Sequence, residues 1–175
     1  MAGNRDFSSE RFRELVILLS ELSAKDEWFG ATKLNKALYY CDFIAYQRLG
    51  KSITGALYQK LSEGPAPREL LREREAMIAA EDISVIQKPV FNYLQQRVQP
   101  LRPANRSLFT EDELRVILEV VRLLGPLTAR QTSEMSHAEV GWAAAALGEE
   151  IPYVTAFLLA GPIPAEVELR VMGRL

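Results

Sequence analysis

Apolar residues fall on two opposed faces of a helical segment that runs from Thr32 to Gly50. At 100° per residue, one stripe contains Leu34, Ala37, Leu38, Cys41, Ile44 and Ala45, and the other contains Tyr39, Phe43 and Tyr46. A helix that is apolar on two opposed faces is buried on both. We therefore predict a central buried helix over residues 32–49, with Thr32 as its N-cap and Gly50 ending it in the left-handed conformation.

Periodicity and capping signals predict further helices on both sides of this segment. Ser8 is placed to cap a first helix that fades at residues 23–26, with Phe7 and Phe12 as a hydrophobic staple. A charged helix is predicted from Pro67 to about residue 80. Its predicted core face consists of Leu70, Leu71, Met77 and Ile78.

Three capping boxes organise the C-terminal half of the chain. They begin at Thr110, Thr128 and Ser136, each followed three residues later by Glu or Gln. The first predicts a helix that Gly125 ends, and the other two predict short helices at Ala129–Met135 and His137–Ala146.

Two stretches favour extended structure. Residues 83–86 and 91–98 carry β-branched and aromatic side chains around Lys88-Pro89, which predicts an antiparallel β-hairpin. Residues 53–61 alternate in polarity and predict an extended segment, and Glu63-Gly64-Pro65-Ala66-Pro67 predicts a rigid turn. The fold class is therefore mainly α, a compact helical domain around the central helix with a small hairpin.

Composition is that of an ordinary globular protein. The 175 residues are 48% apolar and 25% charged, which predicts a single domain over 1–175 with a polar N-terminal lead and a short charged tail after Gly161-Pro162. The net charge of −2 and the lack of a basic run disfavour nucleic-acid and membrane surfaces. A single cysteine and a polar N-terminus without a signal-peptide core predict a cytoplasmic protein.

The residues that could carry chemistry are few. Cys41 lies on an apolar helix face, where a thiol acts as a small hydrophobe, so we do not pair it with His137 as nucleophile and base. One histidine and one cysteine do not supply the three or four ligands of a zinc site, and no glycine-rich phosphate loop is present. A magnesium site made of carboxylates alone stays open. We predict no enzyme, no metal and no cofactor.

A DNA-binding alternative rests on the three helices between residues 110 and 146. They could form a helix-turn-helix unit with His137–Ala146 as the reading helix. The side chains of that helix, HAEVGWAAAA, offer no Arg, Lys, Asn or Gln to read bases or bind phosphates. A transcriptional regulator is therefore the second hypothesis.

Several motifs in order resemble one family. Residues 33–40, KLNKALYY, followed by Asp42, resemble the KLxKLLYYAD signature of the Panacea domain, the SocA-like antitoxin and phage-associated family. Residues 64–67 resemble its GPxxP turn, and Ser136-His137 with Trp142 resembles its SH-x4-W segment. The motif residues are Lys33, Leu34, Lys36, Leu38, Tyr39, Tyr40, Asp42, Gly64, Pro65, Pro67, Ser136, His137 and Trp142.

The resemblance covers a core of about residues 31–160 and implies a function. It implies a mostly helical prokaryotic or phage antitoxin that neutralises a toxin, encoded next door, by direct protein binding. It also implies a second mode, a proteolytic adaptor that delivers the toxin to a protease. The family has no established catalytic residues to carry over, and the sequence leaves the oligomeric state undetermined.

Candidate partner-binding residues are those that the predicted core needs least. They are Trp28, Phe29, Arg68, Arg72, Arg74, Phe91 and Tyr93. We choose them because interface hot spots favour Trp, Tyr and Arg.

For the SH-x4-W segment we predict a structural role. Ser136 caps a helix, Glu139 bonds back to the cap, Trp142 buries its ring and His137 bonds a backbone or tyrosine oxygen. The alternative is a histidine at a toxin contact.

Overall fold

The structure is a computed structural model that describes residues 4–160. Its elements are α1 (Ser9–Leu22), α2 (Ala31–Leu49), β1 (Tyr58–Leu61), β2 (Gly64–Pro67), α3 (Leu70–Ala79), β3 (Ile83–Val90), β4 (Tyr93–Pro100), α4 (Glu111–Leu124), α5 (Ala129–His137) and α6 (Val140–Ala144), with 3₁₀ turns at Arg106–Leu108 and Tyr153–Leu158. The predicted mainly α class is confirmed. The predicted tail after Gly161 lies outside the described residues.

Helix α1 begins as predicted. The Ser8 hydroxyl accepts a hydrogen bond from the Arg11 backbone N–H, and the Phe7 and Phe12 rings meet edge to face with centroids 5.7 Å apart. Phe12 and residues 14–20 are buried, so α1 supplies one layer of the core.

Helix α2 starts one residue earlier than predicted. The Leu34 N–H donates to the Gly30 carbonyl, so Gly30 is the N-cap and Thr32 lies inside the first turn. The capping role predicted for Thr32 is therefore wrong. Gly50 ends the helix at φ 76°, as predicted. The helix packs against α1, α4, α5 and β2. Its role as the organising helix of the domain stays a prediction.

Two of the three predicted capping boxes are present. Thr110 and Glu113 exchange both reciprocal hydrogen bonds at the start of α4, and Thr128 and Gln131 do the same at the start of α5. The third box is wrong, because Ser136 lies within α5 and its hydroxyl donates to the Ser133 carbonyl.

The predicted helix His137–Ala146 is also wrong. The chain leaves α5 after His137, takes an extended conformation at Glu139 and restarts as the five-residue α6. The reason is a tertiary contact: the buried Glu139 carboxylate accepts hydrogen bonds from the Tyr40 hydroxyl and the Ala160 N–H. These bonds hold residue 139 against α2, and a continuous helix would carry it away.

Two antiparallel hairpins complete the fold. β3 and β4 pair from Ile83 with Pro100 to Val90 with Tyr93, so the predicted hairpin is present. The turn predicted at Lys88-Pro89 is wrong, because both residues lie within β3 and the turn is Phe91-Asn92. Pro89 fits in the strand because, opposite Leu94, its missing N–H falls on the free edge of the hairpin. β1 and β2 pair from Tyr58 with Pro67 to Leu61 with Gly64, so the rigid turn predicted for residues 63–67 is mostly a strand. β2 tolerates two prolines because it pairs with β1 alone.

Helix α3 begins at Leu70 rather than Pro67, so Arg68 precedes it. Met77 is fully buried as predicted, but Leu71 is 59% exposed and Ile78 is 44% exposed. The prediction for Leu71 and Ile78 is wrong because α3 turns a polar residue inward. Its buried Glu73 accepts hydrogen bonds from Ser9 and Arg13 of α1.

Candidate functional site

Two aromatic residues that are distant in sequence meet at the hairpin tip. The Trp28 ring, in the loop before α2, stacks on Phe91 with centroids 5.7 Å apart and an interplanar angle of 16°. Phe91 is 87% exposed, and the neighbouring Tyr93 and Leu94 are also exposed. We call Trp28, Phe91, Tyr93 and Leu94 the hairpin-tip surface. Phe29, by contrast, is 5% exposed and packs in the core, where it is not available to a partner.

The turn that carries Phe91 is strained. Phe91 and Asn92 form the two-residue loop between Val90 and Tyr93, and Phe91 has a φ of 49°. A two-residue hairpin loop with positive φ at its first residue alone is one that favours glycine there. For a residue with a side chain, the left-handed conformation costs about 1–2 kcal/mol. Holding an exposed phenyl ring at this point therefore lowers the stability of the folded protein.

A groove runs beside the hairpin-tip surface. It has a volume of about 270 Å³, and it is lined by Trp28 and Thr32 on one side, by residues 93–96 of β4 on the other, and by Ala129. Gln95 is 4% exposed; its Nε2 donates to the Glu27 carbonyl, and its buried Oε1 has no hydrogen-bond partner within residues 4–160. The groove thus has a mixed lining of apolar and polar side chains, and one buried acceptor in its lining residues has no partner within residues 4–160.

A second cavity continues from this groove across Thr32, Tyr93 and Ala129. Its volume is about 490 Å³, and Glu63, Ser133 and His137 line its far part. The two cavities together form one depression between the hairpin and α5. Sequence reasoning missed this depression, because it joins residues from four separate segments.

The three candidate arginines lie apart and contact different parts of the protein. Arg68 donates to the Gly148 carbonyl, Arg72 pairs with Glu73 at 3.0 Å, and Arg74 donates to Gln96 at 3.5 Å. They do not gather into one basic patch. The structure therefore unites the aromatic candidates and separates the basic ones.

The two lysines of the KLNKALYY motif are both buried but differ in pairing. Lys33 Nζ bonds the Asp26 carboxylate at 2.5 Å and the Leu127 carbonyl at 2.6 Å. Lys36 is 1% exposed and takes part in no ion pair within residues 4–160. Burial lowers the pKa of Lys36 to about 8, against a smaller opposite effect of Glu63. A Cβ on Gly64 would lie 2.4 Å from Lys36 Cε and from Ser136 Oγ, which explains the glycine of the GPxxP segment.

Asp42 ties α2 to the segment before β1. Its carboxylate accepts hydrogen bonds from the Thr54 N–H, the Thr54 hydroxyl and the Tyr58 hydroxyl, at 2.5–2.8 Å. Burial raises the pKa of Asp42, and these hydrogen bonds oppose that rise. Tyr40 bonds Glu139, whereas the buried Tyr39 hydroxyl has no partner within residues 4–160. These motif residues hold the interior together.

The SH-x4-W segment packs differently from the prediction. The His137 ring stacks on Trp142 with centroids 4.1 Å apart, and its buried Nε2 has no hydrogen-bond partner in the described chain. Trp142 Nε1 donates to the Leu61 carbonyl, and the Lys60 ammonium lies 4.2 Å from the Trp142 ring centroid. The histidine bond predicted to a backbone or tyrosine oxygen is therefore not formed.

The described part of the chain offers little to a reaction. Among residues 4–160, no group of three or more His, Cys, Asp or Glu is placed to hold a metal ion. Cys41 is fully buried, and that burial raises the pKa of its thiol well above the ordinary value. A thiol with a raised pKa is a poor nucleophile.

Comparison with known families decides the relationship. The sequence model of the antitoxin SocA-like Panacea domain matches residues 34–143. The chain belongs to this family. The match contains α2 from Leu34 onward, both hairpins, α4 and α5. The groove walls therefore fall within the Panacea domain except for residues 28–32. No curated protein and no solved structure matches the chain at a significant level. Among residues 4–160, no helix has the length and apolar character that crossing a membrane requires.

Proposed function

We propose that this protein is an antitoxin that neutralises a partner toxin by direct binding at the hairpin-tip surface. Membership of the SocA-like family supports a toxin as the class of partner. The observation that supports this location is the stack of the half-buried Trp28 ring on Phe91, which is 87% exposed on a strained turn. Strain that the fold does not need for its own stability is typical of functional sites.

The chemistry of this surface suits a protein partner. Aromatic residues dominate the centres of protein interfaces because they bury a large area and lose few rotamers on binding. Stacking holds the Trp28 and Phe91 rings in place before a partner arrives, which lowers the entropy cost of association. The adjacent groove gives the partner a concave surface to fill.

Rescue of growth tests the proposal. We expect the product of the adjacent gene to be toxic when expressed alone, to co-purify with this protein and to be neutralised by it. Trp28→Ala should weaken binding by about 2 kcal/mol or more, as expected for a central hot spot. Phe157→Ala is the matched control, because Phe157 is an aromatic residue that is 60% exposed elsewhere. Equal rescue by both variants would exclude the hairpin-tip surface.

The mode of neutralisation has its own readout. Occlusion of the toxin leaves the toxin half-life in cells unchanged, whereas an adaptor that delivers it to a protease shortens that half-life.

We expect this protein and its toxin to meet in the cytoplasm of a prokaryotic or phage-infected cell. We also propose that the protein has no catalytic turnover; stoichiometric metal in the purified protein, or turnover abolished by one carboxylate substitution, would overturn this.

The rival proposal is a DNA-binding regulator that uses α4 to α6. The exposed Arg130 of α5 pairs with Glu134 at 2.9 Å, and α6 has the uncharged sequence VGWAA. The α5 and α6 parts of this surface therefore offer phosphates little charge. A shift of its own promoter DNA that weakens roughly 10³-fold between about 50 and 200 mM salt, without any protein partner or rescue, would favour the regulator.

A further inference from the structure

The groove beside the hairpin tip lies along the edge of β4. Four consecutive residues of the strand, Tyr93 to Gln96, line it, and no residue of β3 does. Successive residues of a strand project to opposite faces of a sheet. A groove lined by four consecutive residues of one strand therefore follows the edge of that strand.

The backbone at this edge is unpaired. Val90 and Tyr93 flank the two-residue loop, so they form a hydrogen-bonded pair of the hairpin. In an antiparallel ladder such pairs alternate with pairs whose N–H and C=O groups point outward. Leu94 and Gln96 fall at the outward positions, and no backbone hydrogen bond outside the hairpin involves either within residues 4–160. Two amides and two carbonyls of β4 thus face the groove.

The two edges of the hairpin differ in how strongly they hinder pairing with a strand from another chain. Proteins hinder such pairing by placing proline and lysine on the edge strand. The β3 edge carries Lys88 and Pro89. Residues 93–96 of β4 include no proline and no charge, and Tyr93 and Leu94 are 49% and 60% exposed. The unprotected edge is the one that faces the groove.

We propose that an extended segment of the partner toxin binds in this groove and adds to β4 as a third strand. This inference rests on the proposed function and names its binding mode. Outward backbone groups recognise another backbone, and the segment is therefore free of proline at the residues that face Leu94 and Gln96. Its alternate side chains are apolar and contact Trp28 and Tyr93. The four edge residues extend about 13 Å, which matches a segment of about four residues.

The groove favours a single chain over a second copy of this protein. Trp28 and Thr32 form a wall opposite β4, and the space between is about 270 Å³. A β4 edge from a second copy would have to bring its own β3 and its own Trp28 into this space of about 270 Å³. A single extended chain needs less room, so we choose it as the occupant.

A proline substitution at the edge tests the inference. Leu94→Pro removes an outward N–H and leaves the internal hairpin ladder intact, so binding of the purified adjacent-gene toxin should weaken about tenfold or more. Leu94→Ala keeps the N–H and removes most of the side chain. Comparing it with Leu94→Pro therefore distinguishes the contribution of the backbone N–H to binding from that of the side chain. Gln87→Pro is the matched control, because Gln87 pairs with Gln96 and its N–H points outward from the opposite edge. Gln87→Pro should bind as tightly as the unmodified protein.

Hydrogen exchange gives a second, variant-free readout. The Leu94 and Gln96 amides should exchange at least tenfold more slowly in the complex than in the free protein. If the toxin binds and is neutralised while both amides exchange unchanged and Leu94→Pro binds normally, the strand-addition mode is wrong and the antitoxin function stands. If no complex forms and no toxin is neutralised, the proposed function itself fails. A homodimer that Leu94→Pro dissociates would overturn the choice of occupant.

Discussion

The interior around α2 and the tip of the β3–β4 hairpin differ in how their aromatic rings are buried and how their polar groups are hydrogen-bonded. Around α2, the rings of Tyr39, Phe43 and Tyr58 enclose one another, and Asp42 accepts three hydrogen bonds. At the tip, Phe91 lies exposed on a strained turn, and the backbone groups of Leu94 and Gln96 at the β4 edge have no partner outside the hairpin within residues 4–160. The family motif residues lie mainly in the first region. We call this interior the scaffold, and the proposed toxin-binding surface contains no motif residue.

The largest effect on stability should come from a substitution in the interior around α2. Leu38 is fully buried in α2, and Leu38→Ala should lower the free energy of unfolding by about 2–5 kcal/mol because it leaves a cavity. Chemical denaturation measures the change. A loss below about 1 kcal/mol would mean that α2 is not the organising helix of the domain.

A substitution at Lys36, which like the Tyr39 hydroxyl lacks a partner in the described chain, should have the opposite effect and raise stability. Lys36 is buried without an ion pair in the described chain, so Lys36→Met should stabilise the protein by about 1–4 kcal/mol near pH 7. Unchanged or reduced stability would show that the ammonium has a favourable contact.

The pH dependence of unfolding gives an independent check on Lys36. Its pKa is about 8 in the folded protein against an ordinary value of 10.5, so the unfolded chain binds more protons between these values. The stability of the unmodified protein relative to Lys36→Met should therefore rise with pH above about 8. Burial also raises the pKa of Cys41, Tyr39 and Tyr40, which lowers the stability of both proteins above about pH 8.5 for the thiol and about pH 10 for the phenols. The difference between the two proteins between about pH 7 and 9.5 therefore isolates Lys36.

A smaller effect is expected at His137, which lines the second cavity. His137→Ala removes the stack on Trp142 and should cost about 1 kcal/mol of stability while toxin protection is kept. Thermal unfolding and growth rescue measure the two properties. A variant with an unchanged Tm that loses protection would place His137 at a toxin contact.

Local signals predicted much of the scaffold. Capping residues at Ser8, Thr110 and Thr128 mark helix starts in the sequence as they do in the structure, because a cap depends on residues three apart. Local signals could not predict the break after His137, because it depends on a hydrogen bond between Tyr40 and Glu139, which are distant in sequence. The inward-facing Glu73 was missed for the same reason.

The site was only partly predictable. Trp28, Phe91 and Tyr93 were identifiable as aromatics outside the core pattern, but the contact of Trp28 with Phe91 joins distant segments. The sequence did not mark Phe91 as a loop residue, because the pattern put the turn at Lys88-Pro89 and Phe91 in the following strand. The observed register places Phe91 in a loop position where glycine, asparagine or aspartate is expected. A bulky residue at such a position indicates a function other than turning the chain.

The most direct test of the account is Phe91→Gly, measured for stability and for toxin neutralisation together. Glycine relieves the strain at φ 49° but loses the stack on Trp28, so the free energy of unfolding should change by less than about 1 kcal/mol. Neutralisation should be lost, with toxin affinity at least tenfold weaker. Full neutralisation by a stably folded Phe91→Gly variant would contradict the claim that the hairpin tip binds the toxin.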